Sequence, residues 1–231
     1  MITDINVFLD KLRKKENFCY VRYNDGEMMG VDKVGSVAAR GDQYITQELH
    51  EKLVEGINHR QENYYIGTPC SLCFPRYSAL AKQIINDYKC GTSAVLFTNR
   101  NWKTFYDNFP FSCKDRQVVW VGGKSQSKQA LIDYGLDIKN CVLIPEKNSW
   151  SYYEKIKTIV PPLLSPNDIV MVSLGPTARV LCKEWFQQYP ENTFIDIGSV
   201  LDPVTKNVYF GAHKGWDETG FNLQKRCVEC N

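Results

Sequence analysis

Short apolar runs alternating with amphipathic stripes predict an α/β protein: a Rossmann-like, mainly parallel sheet with helices on both faces. Three observations carry this. Apolar runs of four or five residues recur through the second half, at Ala94 to Thr98, Val118 to Val121, Cys141 to Ile144, Ile169 to Ser173 and Phe194 to Ile197. The segments between them repeat apolar residues at three- and four-residue steps, the period of a helix packed on one side. Finally, the turns after these runs hold glycines and charged residues, and parallel sheets gather ligands at the carboxyl ends of their strands.

Taken in order, Thr3 can cap a first helix with Ile5, Phe8, Leu9 and Leu12 on one face, and the basic residues after it suit a helix C-terminus. A strand follows from Phe18 to Tyr23. Leu49, Leu53 and Ile57 mark a helix over Gln47 to Asn58, and Tyr64 to Gly67 reads as a strand ending at Thr68-Pro69. Tyr77, Leu80, Ala81, Ile84, Ile85 and Tyr88 form the next helical stripe. Strand and helix then alternate: Ala94 to Thr98 with Trp102 to Phe109, Val118 to Val121 with Lys128 to Tyr134, Cys141 to Ile144 with Trp150 to Val160, stopped by Pro161-Pro162. The strand Ile169 to Ser173, the helix Ala178 to Tyr189 and the strand Phe194 to Ile197 complete the series. One domain over residues 1–231 is expected, with 203–231 an irregular tail.

The 231 residues, 43% hydrophobic and 13% aromatic, suffice for one substantial core. A net charge of +2 from 28 basic and 26 acidic residues gives no broad field for polyanions, so nucleic acid is not an expected partner. No apolar run approaches the ~20 residues of a transmembrane segment, and the first residues read as an amphipathic helix instead of a signal peptide, so a cytoplasmic location is expected. Reduced thiols are the expected state of the nine cysteines. Cys70-Ser71-Leu72-Cys73 and Cys227-Val228-Glu229-Cys230 share a spacing that suits tetrahedral zinc, although spacing says nothing of whether the two pairs meet.

Two turns carry chemistry. Leu174-Gly175-Pro176-Thr177-Ala178 joins a strand to a helix whose first N–H groups and dipole would favour a phosphate. Far away in the chain, Arg22-Tyr23-Asn24-Asp25-Gly26-Glu27 sets two carboxylates around a glycine. If the backbone turns there, Asp25 and Glu27 can share one hard cation, Mn2+ or Mg2+, whose shell a diphosphate completes, while Arg22 pairs with phosphate. The competing reading is a solvated Asx turn with an Arg–Glu ion pair. Gly123-Lys124-Ser125 is not a P-loop, because Val118 stands where the first glycine belongs, and no GxGxxG occurs. Ser125 or Ser127 is read as a helix cap. Asn99-Arg100-Asn101-Trp102 follows a strand and offers Asn99 as a nucleotide contact, and His213 in the tail is the histidine placed to meet an acceptor.

These residues resemble the GT-D-type glycosyltransferases, a family first catalogued as a bacterial domain of unknown function. Arg22 to Glu27 is similar to its R-[FY]-x-D-G-E signature, Ile144 to Trp150 to its proline-lysine-asparagine-aromatic turn, Leu174 to Ala178 to its LGPTA turn, and Ile195-Asp196-Ile197-Gly198 to its DIG strand end. The resemblance implies metal-assisted transfer of a sugar from a nucleotide sugar, typically a UDP-hexose, to a hydroxyl of a glycan or glycoprotein. It implies Asp25 and Glu27 at metal and donor, and donor contacts from Arg22, Gly26, Asn148, Gly175, Pro176, Thr177, Ala178 and Asp196. After Gly198 the chain departs from the family, reading Ser199-Val200-Leu201-Asp202-Pro203 in place of histidine and an acidic D-x-E segment. For an inverting reaction Asp202 and Asp25 lead as general base, ahead of Glu27 and Asp196. The readings from other classes are a non-catalytic sugar-nucleotide or glycan-binding module and a zinc- or redox-linked protein organised by the CxxC pairs.

Overall fold

In a computed structural model of the protein, residues 2–38, 43–98 and 101–206 are described. The strands are β1 (Cys19–Arg22), β4 (Tyr64–Thr68), β5 (Gly91–Ser93), β6 (Val118–Gly123), β7 (Ile138–Ile144), β8 (Ile169–Val172) and β9 (Thr193–Asp196) in the main sheet, with β2 (Val37–Ala38) and β3 (Gln43–Tyr44) apart. The order β5-β4-β1-β9-β8-β6-β7 is parallel throughout, and β2 pairs with β3 as an antiparallel ribbon. The last strand among the described residues is therefore the central one.

Side chains alternate along each strand and divide the core into two layers. Cys19 and Val21, Val119 and Val121, Val170 and Val172, and Phe194 face one side. There they meet α2 (Asp25–Asp32), α3 (Gln47–Asn58), α4 (Pro75–Ile85), α7 (Tyr153–Ile159) and α8 (Thr177–Gln188). Tyr20, Trp120, Met171 and Ile195 face the other side, against α1 (Ile5–Arg13), α5 (Trp102–Ser112) and α6 (Lys128–Asp133). On that side Phe8 is fully buried and packs edge-on against Phe18, Tyr20 and Tyr65, with ring centroids 4.9–5.7 Å apart.

Several boundaries move for physical reasons. Asp4, not Thr3, caps α1, its carboxylate accepting the Asn6 N–H at 2.9 Å. The apolar run Ala94 to Thr98 is a series of turns that buries Leu96 and Phe97, while β5 is the small polar triplet before it. Ser127, one of the two serines proposed, caps α6. Trp150 lies in a 3-10 turn, Ser149–Tyr152, before α7. The segment after Leu201 is helical, α9 (Asp202–Thr205), because Pro203 has its φ preset for a first helical turn. No helix among the described residues is long and apolar enough to cross a membrane.

α3, α7 and α8 are tied by ions. The Glu184 carboxylate accepts from Lys52 Nζ at 2.8 Å and from the Tyr153 hydroxyl at 2.5 Å, with Lys157 Nζ at 3.1 Å. Desolvation pushes the Glu184 carboxyl up, but these donors outweigh it and hold it below the ordinary glutamate range. A depressed carboxyl contributes stability that is present above the unfolded value of about 4.3 and lost as pH falls through the folded one. Glu184→Gln is thus expected to lower stability by about 1–3 kcal/mol at neutral pH, a deficit that closes on acidification. Urea unfolding at neutral and acidic pH checks this.

Candidate active site

A cleft of about 310 Å3 opens at the carboxyl edge of the sheet, where the parallel-sheet rule places a ligand. Each stretch that lines it follows a strand. Arg22 ends β1 and Glu27 stands in the first turn of α2; Gly123 and Gln126 follow β6; Glu146 and Ser149 follow β7. Ser173, Leu174 and Gly175 follow β8, with Arg179 on α8, and Gly198, Ser199 and Asp202 follow β9. Lys206 and, from the ribbon, Gln43 complete the wall.

Arg179 is the knot of the site. It is 2% exposed and its Nε lies 2.9 Å from the Asp196 carboxylate and 2.6 Å from the Arg22 carbonyl. Its Nη2 lies 3.2 Å from Glu27 Oε1, and Nη1 donates to the Gly175 carbonyl. One guanidinium thus joins both motif turns and β9. Asp196, fully buried, also accepts the Arg22 backbone N–H at 3.1 Å and faces Arg22 Nε at 3.6 Å. Glu27 Oε2 reaches back to the Asn24 N–H at 3.1 Å, the return half of a capping box. Burial raises the Glu27 carboxyl, and Arg179 opposes that rise. Burial alone would lower Arg22, but Asp196 leads a set of neighbours that raise it, so this side chain stays charged.

A second network holds Asp202. The buried Gln126 accepts the Gly123 N–H at 2.9 Å and the Trp120 indole N–H at 3.3 Å, and these two donors fix which end of the amide is oxygen. Its nitrogen then donates to Ser173 Oγ at 3.1 Å and to Asp202 Oδ1 at 3.2 Å. Lys206 Nζ stands 3.7 Å from the same oxygen. Glu146 accepts the Ser125 N–H at 2.6 Å, and hydrogen bonds from Ser125, side chain and backbone, hold its carboxyl low. Across the cleft, Ser149 Oγ meets the Leu174 carbonyl and Thr177 Oγ1, both at 2.8 Å, and Gln43 Oε1 at 3.2 Å.

The structure brings Arg22, Glu27, Gly175 and Asp202 to one cleft, with Asp196 directly beneath. It separates Asp25 from Glu27. Both lie in the first turn of α2, where positions two apart point to different faces; Asp25 is exposed, whereas Glu27 is turned inward onto Arg179. The turn that a shared cation required is a helix, and the Glu27 carboxylate in it is paired with Arg179. Gly26 is part of that helix. Thr177 and Ala178 are buried, and the N–H groups of Ala178 and Arg179 already bond the Gly175 and Pro176 carbonyls at 3.1 and 3.3 Å. Of the strand-to-helix turn it is thus Gly175, not Pro176, Thr177 or Ala178, that lines the cleft together with Leu174. Asn148 is exposed beside the wall residue Ser149, in the left-handed region at φ 49°, and accepts the Tyr44 N–H at 3.5 Å. Asn99 and His213 lie outside the described residues.

Arg179, Gln126, Gln43, Glu146 and Lys206 are wall residues that the sequence reading did not single out as site residues. What marks Arg179 is a property of the fold and not of the sequence pattern: α8 is buried from Thr177 through Phe186, so a charged residue within it must be paired.

No family model and no curated protein sequence matches the chain. Two solved structures do. One, a selenomethionine form of domain of unknown function 1792, has a TM-score of 0.68 and 18% identity, covering 85% of this chain and 77% of that one. The other, in which the same domain is described as having a distinct glycosyltransferase fold, has a TM-score of 0.67 and 17% identity over the same shares. The seven-stranded parallel sheet of this chain, with its cleft at the carboxyl edge, therefore has the fold of domain 1792, a glycosyltransferase fold.

Proposed function

We propose that the protein transfers a sugar from a nucleotide sugar, with a UDP-hexose as the expected donor, to a hydroxyl of a glycan or glycoprotein. The observation that carries this reading is the convergence of Arg22, Glu27, Gly175 and Asp202, from four separate segments, on one cleft of a glycosyltransferase fold. Breaking a sugar–phosphate bond develops negative charge on the leaving diphosphate, and a preorganised cationic site lowers that barrier. Arg22 is held by Asp196 with its guanidinium at the wall and is suited to that charge.

The charge balance of the cleft bears on a metal. Arg22, Arg179 and Lys206 face four carboxylates: Glu27, Glu146, Asp202 and the underlying Asp196. With no surplus of fixed positive charge, a diphosphate fits best together with its own divalent ion. Among the described residues no three His, Cys, Asp or Glu side chains converge as a metal centre, but Mg2+ or Mn2+ bound with phosphate needs only one or two protein carboxylates. Glu27 and Asp196 are matched by arginines, so Glu146 and Asp202, which share Lys206 as neighbour, fit that task better than the Asp25–Glu27 pair. When bound, such an ion supplies neutralisation of the leaving diphosphate. Gln126 orients the Asp202 carboxylate, which can take the acceptor proton in the alternative assignment. A cytoplasmic setting is part of the proposal; it is supported by Cys19, Cys90, Cys113, Cys141 and Cys182 remaining thiols.

Purified protein is expected to release nucleotide from a UDP-sugar with manganese and to stop on chelation. Asp202→Asn should cut that turnover about 10²–10⁴-fold while donor binding, followed by calorimetry, persists. Donor binding without release in the parent protein would sink the transferase and leave a binding module.

A further inference from the structure

The CxxC turn at Cys70 and Cys73 has no metal-binding cluster around it among the described residues, and Cys227 and Cys230 lie outside them. The wall of the cleft holds a feature of a different kind. Ser173 follows β8 and lines the cleft, half-buried, its backbone N–H continuing the ladder to the Val121 carbonyl at 2.8 Å. Its hydroxyl stands between two turns: Oγ donates to the Gly198 carbonyl at 2.7 Å and accepts from Gln126 Nε2 at 3.1 Å. A serine hydroxyl has a single hydrogen, so with that hydrogen on Gly198 only its lone pairs face the amide. The amide is fixed in the matching sense, because the Trp120 indole N–H and the Gly123 N–H both donate to Gln126 Oε1. Its two amide hydrogens go to Ser173 Oγ and to Asp202 Oδ1, and none is left for another arrangement. The bonds therefore run one way, from the fully buried Trp120 through Gln126 and Ser173 to Gly198.

The two ends of this chain serve different parts of the chemistry. Gln126 orients Asp202, as metal ligand or as proton acceptor. At the other end the Arg22 guanidinium lies against Gly198, so close that no Cβ fits between them. Gly198 is in the left-handed region at φ +52°, beyond the end of β9, and its main chain is placed by a long bond of 3.4 Å from its N–H to the Val172 carbonyl and by the Ser173 hydroxyl on its own carbonyl. A displaced Ser173 would thus move the surface on which Arg22 rests and the amide that orients Asp202 together. Hydrogen bonds in such a chain strengthen one another and act as a unit.

We propose that Ser173 is a positioning residue for sugar transfer, holding Asp202 and the seat of Arg22 at Gly198 in one frame. The proposal rests on the transferase reading of the cleft. Its chemistry is geometric: the guanidinium suited to the leaving diphosphate and the carboxylate on the opposite side keep a fixed separation, and a misplacement of about 1 Å costs on the order of 10²-fold in rate.

Manganese-dependent nucleotide release from UDP-hexoses is measured for the parent, Ser173→Ala and Ser173→Thr. Alanine is expected to lower kcat about 10–10²-fold with donor KM within about twofold of the parent, and threonine, which keeps the hydroxyl, to recover most of the loss. In a Gln126→Ala background Ser173→Ala should cost little more, because the chain is already cut. The same coupling is read without turnover by amide NMR: Gln126→Ala should shift the Gly198 amide resonance when Ser173 is present and leave it in place in the Ser173→Ala background. If circular dichroism finds the alanine variant unfolded, Ser173→Cys takes its place, its thiol being too weak a donor and acceptor to hold either bond. A parent that releases no nucleotide from any UDP-hexose sinks the transferase reading, and the amide shifts then decide whether Ser173 couples the two turns. With an active parent, a parent-like kcat for Ser173→Ala, a loss confined to KM, no recovery by threonine, or full additivity with Gln126→Ala would each overturn the role of Ser173.

Discussion

Arg179→Ala is expected to lower stability by about 3–5 kcal/mol, because it strands two buried carboxylates, Glu27 and Asp196, without their shared cation. For a chain of this size that is a fall in Tm on the order of 10 °C. Donor turnover should fall below detection, since Arg179 also fixes the Gly175 carbonyl and the main chain at Arg22. The lesion has a pH signature. Stranded carboxylates gain by protonation, so the Tm gap to the parent should be narrower at pH 5 than at pH 8. Arg179→Lys restores a charge but not the planar fork that reaches both partners, and an intermediate Tm is expected. A parent-like Tm for the alanine variant would remove Arg179 from the centre of the site.

Gly198→Ala is expected to damage turnover more than stability. Gly198 sits at φ +52°, and a Cβ there would fall 1.6 Å from Arg22 Nη2. The left-handed backbone costs a residue with a Cβ about 1–2 kcal/mol, and the guanidinium must leave its place at the wall. If Arg22 meets the diphosphate, turnover should drop about 10²–10³-fold, the magnitude for one lost charge-stabilising donor. A double-mutant cycle separates the two effects. In an Arg22→Ala background, Gly198→Ala should cost only backbone strain, so the catalytic penalties should not add. Full additivity in the release assay would show that Gly198 does not act through Arg22.

The strands that were legible were those buried on both faces: β8 is an unbroken apolar run and β6 opens with one, Val118 to Val121, because in a covered parallel sheet there is no solvent side to demand alternation. β5 was missed because Gly91-Thr92-Ser93 carries no apolar signal, and the neighbouring run drew attention for its buried Leu96 and Phe97. The helix at Asp25 was missed because Asp-Gly-Glu has the composition of a turn; Met28 and Val31 buried one and two turns later, and Glu27 reaching back to Asn24, make it helical. In the site, Arg22, Glu27, Gly175 and Asp202 announced themselves by standing at strand ends. Gln126 and Gln43 did not, since a glutamine outside an apolar pattern reads as solvated until tertiary structure supplies its partners.

The central place of β9 ties the order of synthesis to the order of assembly. A ribosome that has reached Gln188 has synthesised every residue of the set β5-β4-β1 and of the set β8-β6-β7, yet β1 and β8 have no ladder between them. Each set carries an unpaired parallel edge, the kind of surface that recruits other chains. The four residues Thr193–Asp196 close both edges at once and deliver the carboxylate that Arg22 and Arg179 require. The sheet and the pocket are thus continuous only once this last described strand is in place, and a chain ended a few codons before it would be a single polypeptide with two open edges instead of a weakened enzyme.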